Sequence, residues 1–160
     1  YILEGGKWEI GIEYTVISFL NNDVKIVRDG FVTKEEIEKV IGKISDFKSD
    51  SKSDKVISPG LLKSHYAPKT PLYIAQNSEE VKKLTSGKTG FMDFSKFKNK
   101  KEIALNLFSE MRKLDEQAFE MIVGEKVDDT GLGTAINDRL ERASSGTIEI
   151  KNGKPFIKNN

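Results

Sequence analysis

Residues 58–69 carry the side chains best suited to contact a ligand. They include the only histidine of the chain, His65, next to Tyr66, and two prolines, Pro59 and Pro68. Proline fixes its own φ and restricts the residue before it, so both prolines should keep this segment extended and stiff. Such a segment suits a path across a surface, with its rings directed at a partner. The alternative is an ordinary interdomain linker with one anchoring tyrosine.

Arg28 is a second candidate for ligand contact. It ends a predicted strand and is followed by Asp29 and Gly30. A guanidinium keeps its charge and presents its donors in a fixed fork, which suits an anionic ligand. The alternative is a surface arginine paired with Asp29 or Asp23.

Two further groups of residues have an ordinary structural explanation. The segment Gly131-Leu132-Gly133 precedes a predicted helix, and helix N-termini attract anions. The Gly-Lys-Ser/Thr of a phosphate loop is absent, however, and the Rossmann glycine pattern is incomplete, which favours a tight turn. Five polar residues on predicted helices have two explanations. They form a polar network, buried or between domains, or they form surface ion pairs that each add little to stability. They are Arg112, Asp115, Asn137, Asp138 and Arg139.

The composition is that of a soluble globular chain. Of its 160 residues, 37% are hydrophobic and 32% are charged, and the formal net charge is +1. Such a small charge gives no broad electrostatic footprint for nucleic acid or an anionic membrane. Because cysteine is absent and histidine occurs once, we expect neither disulfides nor a zinc site, and no metal ligand is assigned. No apolar run approaches the roughly 20 residues that cross a bilayer, so the cytoplasm is the expected location.

The N-terminal part predicts a β-hairpin and a helix. Residues 9–19 and 24–27 are rich in β-branched and aromatic residues, with a turn signal between them. Thr33, with Glu36 three positions later, predicts a capping box. One face of that helix should carry four apolar residues: Ile37, Val40, Ile41 and Ile44. Residues 45–55 are mostly Ser, Asp and Lys, which predicts a mobile segment and a domain boundary.

Beyond residue 70 the strand and helix signals alternate. Strands are predicted at residues 72–75, 89–94 and 119–123; helices are predicted over residues 78–84, through the apolar positions 104–114, and after Gly133. This order is typical of an α/β domain with a parallel sheet. Residues 147–150 and 155–157, around Asn152-Gly153, form either a terminal hairpin or a frayed tail.

Three motifs, in order along the chain, closely resemble the long-form threonylcarbamoyl-AMP synthases. GIEYTV at residues 11–16 and IVRDG at residues 26–30 resemble GIESTV and LRPG, the last strands of that family's YrdC-type catalytic domain. SPG…HYAP at residues 58–68 resembles the family's interdomain connector. NLF…MRKLD at residues 106–115 and GLGTAINDRL at residues 131–140 resemble its C-terminal accessory domain.

The resemblance implies an α/β fold in three parts. Residues 1–45 would be the C-terminal portion of the YrdC-type α/β catalytic domain, present as a β-hairpin and helix remnant. Residues 46–70 would be the connector. Residues 71–160 would form a parallel-sheet, Rossmann-like accessory domain. The start at Tyr1, without methionine, likewise predicts a fragment of a longer protein.

The resemblance also implies an activity for the complete enzyme. In this family the catalytic domain makes threonylcarbamoyl-AMP and pyrophosphate from L-threonine, bicarbonate and ATP-Mg²⁺. A partner complex then transfers the threonylcarbamoyl group to adenosine in tRNA, so contact with tRNA would be indirect. The upstream catalytic motifs are not found here, so we assign no catalytic residue. We expect the chain alone to be inactive and to bind no cofactor firmly.

Site residues follow from the same resemblance. Arg28 and Tyr66 would contact ATP, and Tyr14 and Thr15 would lie at the threonine. His65 would hold the connector in place rather than act in acid-base catalysis. The residues that match the connector motif, besides Tyr66, are Ser58, Pro59, Gly60, His65 and Pro68.

Two positions depart from the family pattern. Tyr14 stands where the family has serine, which adds a ring to a tight pocket. Asp29 stands where the family has proline, which puts a carboxylate beside an expected phosphate contact. Two other functions stay open. One is an independent nucleotide- or RNA-binding module, although the small net charge and the lack of an interleaved basic-aromatic patch argue against RNA. The other is a structural or dimerisation domain.

Overall fold

The structure is a computed structural model that describes residues 11–19, 24–44, 66–85 and 87–160. It has an N-terminal unit, residues 11–44, and a C-terminal lobe, residues 66–160. Among the described helices, none is both long and apolar enough to cross a bilayer.

The N-terminal unit contains the predicted hairpin and helix, although the first strand is shorter than predicted, because residues 11–15 are described and are not strand. Strand β1 (Val16–Ser18) pairs antiparallel with β2 (Lys25–Arg28), although residues 20–23 between them lie outside the described residues. Helix α1 (Lys34–Ile41) begins with the predicted capping box. Thr33 Oγ1 accepts from the backbone N–H of Glu36 at 3.3 Å, and Glu36 Oε2 accepts from that of Thr33 at 2.9 Å. These two bonds satisfy N–H groups that a helix start leaves unpaired.

The apolar face predicted for α1 is only half correct. Ile37 and Ile44 are buried, but Val40 is 84% exposed and Ile41 is 48% exposed. The helix ends at Ile41, so Ile44 lies beyond it, where its N–H donates to Glu38 Oε1 at 2.9 Å. The 3.6-residue period places these residues on one face of a helix, but it does not determine how much of that face is covered by the rest of the protein.

The C-terminal lobe is built on a five-stranded sheet in the order β4-β5-β3-β6-β7. The first four strands of this order are parallel to one another, and β7 pairs antiparallel with β6. This confirms the predicted parallel-sheet α/β domain. Its elements are β3 (Leu72–Ala75), α2 (Ser78–Leu84), β4 (Thr89–Phe91), α3 (Lys100–Asp115), β5 (Met121–Glu125), α4 (Leu132–Ala143), β6 (Gly146–Lys151) and β7 (Lys154–Asn159).

Helices cover both faces of this sheet. Because strand side chains alternate between faces, Leu72 and Ile74 of β3 pack in the larger core, which also contains α3 and α4. Ala75 packs in the smaller core, where α2 contributes Val81. The lobe therefore has three layers, with α2 on one face and α3 and α4 on the other.

Two strands and the terminal segment differ in detail from the sequence prediction. Strand β4 stops at Phe91 and β5 starts at Met121. Phe119 lies outside β5, and its ring would be 2.6 Å from a Cβ placed on Gly90. The terminal segment is the hairpin β6–β7 rather than a frayed tail, and its turn uses Asn152 at φ 53° and Gly153 at φ 71°. Such positive φ angles at both turn positions suit the twist of a two-residue hairpin.

The N-terminal unit packs into the larger core of the C-terminal lobe. Ile12 is 4% exposed and belongs to the same buried cluster as Leu72 and Leu107, and Phe31 packs against that cluster. The backbone of Gly11 lies against α3, because a Cβ added there would be 2.1 Å from Leu105 Cα. This packing places residue 13 at the junction between the N-terminal unit and the lobe.

Candidate functional site

The centre of the site is an ion pair between Glu13 and Arg139. Arg139 lies on α4 and its side chain is 0% exposed. Its Nε donates to Glu13 Oε2 at 3.0 Å, and Nη2 also lies 3.0 Å from that oxygen. Nη1 donates to the backbone carbonyl of Asp29 at 2.7 Å and to Asp138 Oδ2 at 2.9 Å. The guanidinium thus joins α4 to two segments of the N-terminal unit, one at Glu13 and one at Asp29.

Tyr66 brings the connector to the same carboxylate. Its hydroxyl donates to Glu13 Oε1 at 2.5 Å. Its ring packs against Phe108 of α3, with 5.2 Å between ring centroids, and Arg139 Cζ lies 5.9 Å from its centroid. The ring therefore rests on the C-terminal lobe while the hydroxyl reaches the N-terminal unit.

The ionisation of this network favours the arrangement. Burial alone would raise the pKa of Glu13, but the hydrogen bond from Tyr66 and the charge of Arg139 leave it below its usual range. Burial raises the pKa of Tyr66, and its bond to the Glu13 carboxylate raises it further. At neutral pH the network is therefore a carboxylate held by a phenol and a guanidinium.

A cavity of about 450 Å³ opens beside this network, between the N-terminal unit and α4. Among the side chains that line it are Arg28, Asp29, Thr33, Lys34, Asp129 and Arg142. Burial raises the pKa of Asp29, and the nearby Asp138 carboxylate adds to that rise. The cavity thus has both signs of charge on its wall, with Arg28, Lys34 and Arg142 as its cations.

The predicted ligand residues of the N-terminal unit lie close together. Arg28 Nη2 donates to the backbone carbonyl of Tyr14 at 3.3 Å. The side chain of Tyr14 points outward and the residue is 80% exposed. The Thr15 hydroxyl donates to the backbone carbonyl of Val32. Tyr14 and Thr15 therefore directly follow Glu13, the residue that Tyr66 contacts, and Arg28 is hydrogen-bonded to the same segment.

The connector is described only from Tyr66 onward. Ser58, Pro59, Gly60 and His65 lie outside the described residues, whereas Pro68 is half-buried. Downstream of Pro68, Asp115 at the end of α3 accepts from the backbone N–H groups of Thr70, at 2.7 Å, and Lys69, at 3.2 Å. Asp115 therefore anchors the connector where it enters β3.

The glycines before α4 make a close turn. Gly131 is the N-cap, at φ 55°, with no side-chain capping bond. A Cβ on Gly133 would lie 1.9 Å from the carbonyl oxygen of Asp128, so only glycine fits there. Asn137 holds the preceding loop, because its amide exchanges hydrogen bonds with the backbone of Val127 at 2.9 and 3.0 Å. The expected tight turn accounts for both glycines.

The sequence does not single out the two residues at the centre of the site. Glu13 stands only within the GIEYTV motif, yet it is the acceptor that Tyr66 and Arg139 share. Arg139 is one of five polar helix residues to which the sequence assigns no partner. Its partner Glu13 lies 126 positions away, so no local pattern points to the pair.

The chain is similar to known proteins over most of its length. Residues 32–145 match the family described as threonylcarbamoyl-AMP synthase, C-terminal domain. The threonylcarbamoyl-AMP synthase of Bacillus subtilis is 35% identical over 170 residues, which cover 92% of this chain and 49% of the relative. That of Pyrococcus abyssi is 33% identical over 169 residues, which cover 92% of this chain and 50% of the relative.

Solved structures give the same picture. The structure of Pyrococcus abyssi Sua5 complexed with L-threonine superposes with a TM-score of 0.72 at 28% identity, covering 88% of this chain and 48% of that one. A variant of the same protein, with a histidine and the tyrosine after it replaced by alanine, gives a TM-score of 0.71 at 27% identity, covering 88% of this chain and 47% of that one. The chain thus spans about half the length of the relatives it matches.

Proposed function

Because this chain belongs to the threonylcarbamoyl-AMP synthase family and carries that family's C-terminal domain, we propose that it is the C-terminal part of an L-threonylcarbamoyladenylate synthase. The complete enzyme would join L-threonine and bicarbonate, with loss of water, to give N-carboxythreonine. The new carboxylate on the threonine nitrogen would attack the α-phosphate of ATP, form threonylcarbamoyl-AMP and release pyrophosphate. The product would serve threonylcarbamoyladenosine modification of tRNA, a cytoplasmic role.

One observation supports this proposal above the others: the connector tyrosine reaches out of the C-terminal lobe to the motif expected at the catalytic pocket. Tyr66 contacts Glu13, and Glu13 begins the segment that contains Tyr14 and Thr15. The Pyrococcus abyssi relative was solved with L-threonine and, separately, with a His-Tyr pair replaced. The single histidine of this chain, His65, is likewise followed by a tyrosine.

Roles for single residues follow the same proposal. Arg28 and Tyr66 would contact the nucleotide, the guanidinium at the phosphates and the phenol at the base or ribose. Tyr14 and Thr15 would line the threonine pocket. Neutralisation of phosphate charge and positioning would supply most of the rate enhancement.

Mg²⁺ would reach the site with ATP. Two carboxylates beside the cavity are already engaged: Asp138 accepts from Arg139 and Arg142, and Asp129 accepts from Asn137 at 3.2 Å. We therefore assign no residue of this chain as a metal ligand. The phosphates of ATP would hold the ion.

The domain division is part of the proposal. Residues 1–45 would complete the catalytic domain, residues 46–70 would form the connector, and residues 71–160 the accessory domain. The packing of Ile12 and Phe31 against the C-terminal core supports a catalytic domain that would be fixed to the accessory domain through its last strands.

The experiment is an assay of pyrophosphate release with L-threonine, bicarbonate and ATP-Mg²⁺. We expect no release by the 160-residue chain, because the lysine- and arginine-bearing pocket of the catalytic domain would lie in the part of the relatives that this chain does not cover. The same chain extended by the reading frame upstream of Tyr1 should release pyrophosphate, in dependence on threonine. Release by the short chain would refute the division of function, and an inactive extended protein would refute the proposed activity.

A further inference from the structure

Arg139 is a buried cation whose contacts lead out of its own lobe. It lies on α4, yet its guanidinium contacts the Glu13 carboxylate and the Asp29 carbonyl of the N-terminal unit. Its own helix also fixes the guanidinium: Asp138 accepts from Arg139 through Oδ2 at 2.9 Å and from Arg142 through Oδ1 at 2.8 Å. A guanidinium fixed in this way can hold its acceptors in only one orientation.

Packing alone does not require a charge at this position. Arg139 is 0% exposed, and the effective penalty of removing an ion from water is several kcal/mol even after relaxation. An apolar side chain of similar volume often holds two packed units together as well as a buried ion pair does. What an apolar side chain lacks is the ability to orient a carboxylate.

The oriented carboxylate is the acceptor for Tyr66. Glu13 binds Arg139 through Oε2 and the Tyr66 hydroxyl through Oε1, so one planar group connects α4 to the connector. Rotation of that carboxylate would take Oε1 out of hydrogen-bonding position for the phenol. The position of the Tyr66 hydroxyl therefore depends on a residue of the C-terminal lobe.

Resting on the function proposed above, we propose that Arg139 is a positioning residue of the synthase reaction. It orients Glu13, and through Glu13 it places the Tyr66 hydroxyl where that group would contact the nucleotide. In this way the C-terminal lobe contributes to catalysis from a helix that does not carry the reacting groups. Its effect on substrate binding would fall on the nucleotide, which Tyr66 would contact under the proposed function.

The first test uses the 160-residue chain and needs no activity. In ¹³C-labelled protein, the nuclear Overhauser contact between the Tyr66 ring and the Glu13 side chain should be present in the parent chain. It should be lost in Arg139→Gln and kept in Arg112→Gln, a matched change of an exposed arginine on α3. If Arg139→Gln does not fold, Arg139→Lys keeps a charge without the fork and should weaken the contact. An unchanged contact in a folded Arg139 variant overturns the proposal.

The second test uses the extended, active protein. Arg139→Gln should raise KM for ATP about tenfold, the loss expected for roughly one hydrogen bond to the ligand. Adding Tyr66→Phe to Arg139→Gln should raise KM no further, since both changes remove the same contact. A merely structural role would instead lower kcat with the fraction of folded enzyme and leave KM unchanged, and that result would overturn the proposal. If the extended parent protein is inactive, the proposed function fails, while the first test still decides whether Arg139 positions Tyr66.

Discussion

Truncation of Ile12 tests whether the N-terminal unit is part of the same folded core as the C-terminal lobe. Ile12 is 4% exposed within the cluster of Leu72 and Leu107. Ile12→Ala removes three carbon atoms, worth about 2.4 kcal/mol at roughly 0.8 kcal/mol for each buried methylene. The remaining cavity adds to that loss, so we expect the free energy of unfolding to fall by about 2–4 kcal/mol.

The assay is urea unfolding followed by far-ultraviolet circular dichroism. Ile41→Ala is the matched control, because it makes the same chemical change at a residue that is 48% exposed. It should lower the free energy of unfolding by less than about 1 kcal/mol. Equal losses for the two variants would refute the packing of Ile12 in the C-terminal core. A separate unfolding transition at lower urea concentration, shifted in the Ile12 variant but not in the Ile41 variant, would also refute that packing.

Three further changes test single contacts. Asp115→Asn should lower the free energy of unfolding by about 1 kcal/mol at pH 7, because the carboxylate anchors two connector amides. Those amides lower the pKa of Asp115, so its contribution is lost as the pH falls through that lowered value, and parent and variant should converge in acid. Gly133→Ala should destabilise α4 by about 1–3 kcal/mol in thermal melts, since its Cβ would meet a backbone oxygen at 1.9 Å, whereas Gly87→Ala, with nothing within 4 Å, should not. Asp29→Asn should stabilise the chain at pH 7. Burial raises the pKa of Asp29, so its charged form opposes folding once the pH exceeds that raised value. The gain in the free energy of unfolding should therefore vanish at a pH below 3.8, the ordinary pKa of the side chain.

Local signals in the sequence predicted most of the secondary structure. The Thr33–Glu36 pair predicted the start of α1. For α2 the sequence left Asn77 and Ser78 as alternative caps, and the structure has Asn77, whose side chain accepts from Glu80 N–H at 3.0 Å. The apolar run at residues 72–75 gave β3 with its bounds. These succeeded because caps and short apolar runs depend on residues within a few positions of one another.

Burial and contacts that depend on distant parts of the chain could not be predicted from the sequence. Val40 and Ile41 have the spacing of buried residues, but their exposure depends on which surface meets α1. Phe119 reads as a strand residue, but it lies outside β5 and its ring lies close to Gly90, on the neighbouring strand β4. The Glu13–Arg139 pair links residues 126 positions apart, so no local pattern identifies either partner. The resemblance to a family brought both motifs into view, and only the fold brought their side chains together.

The hydrogen bond between Tyr66 and Glu13 is where the connector, the N-terminal unit and α4 meet, and a double-mutant cycle measures it directly. Unfolding free energies of the parent, Tyr66→Phe, Glu13→Gln and the double variant at pH 7 give the coupling between the phenol and the carboxylate. We predict a coupling of about 1–2 kcal/mol, as for a partly buried hydrogen bond to a charged group. A coupling near zero would contradict the bridge between the two parts of the chain.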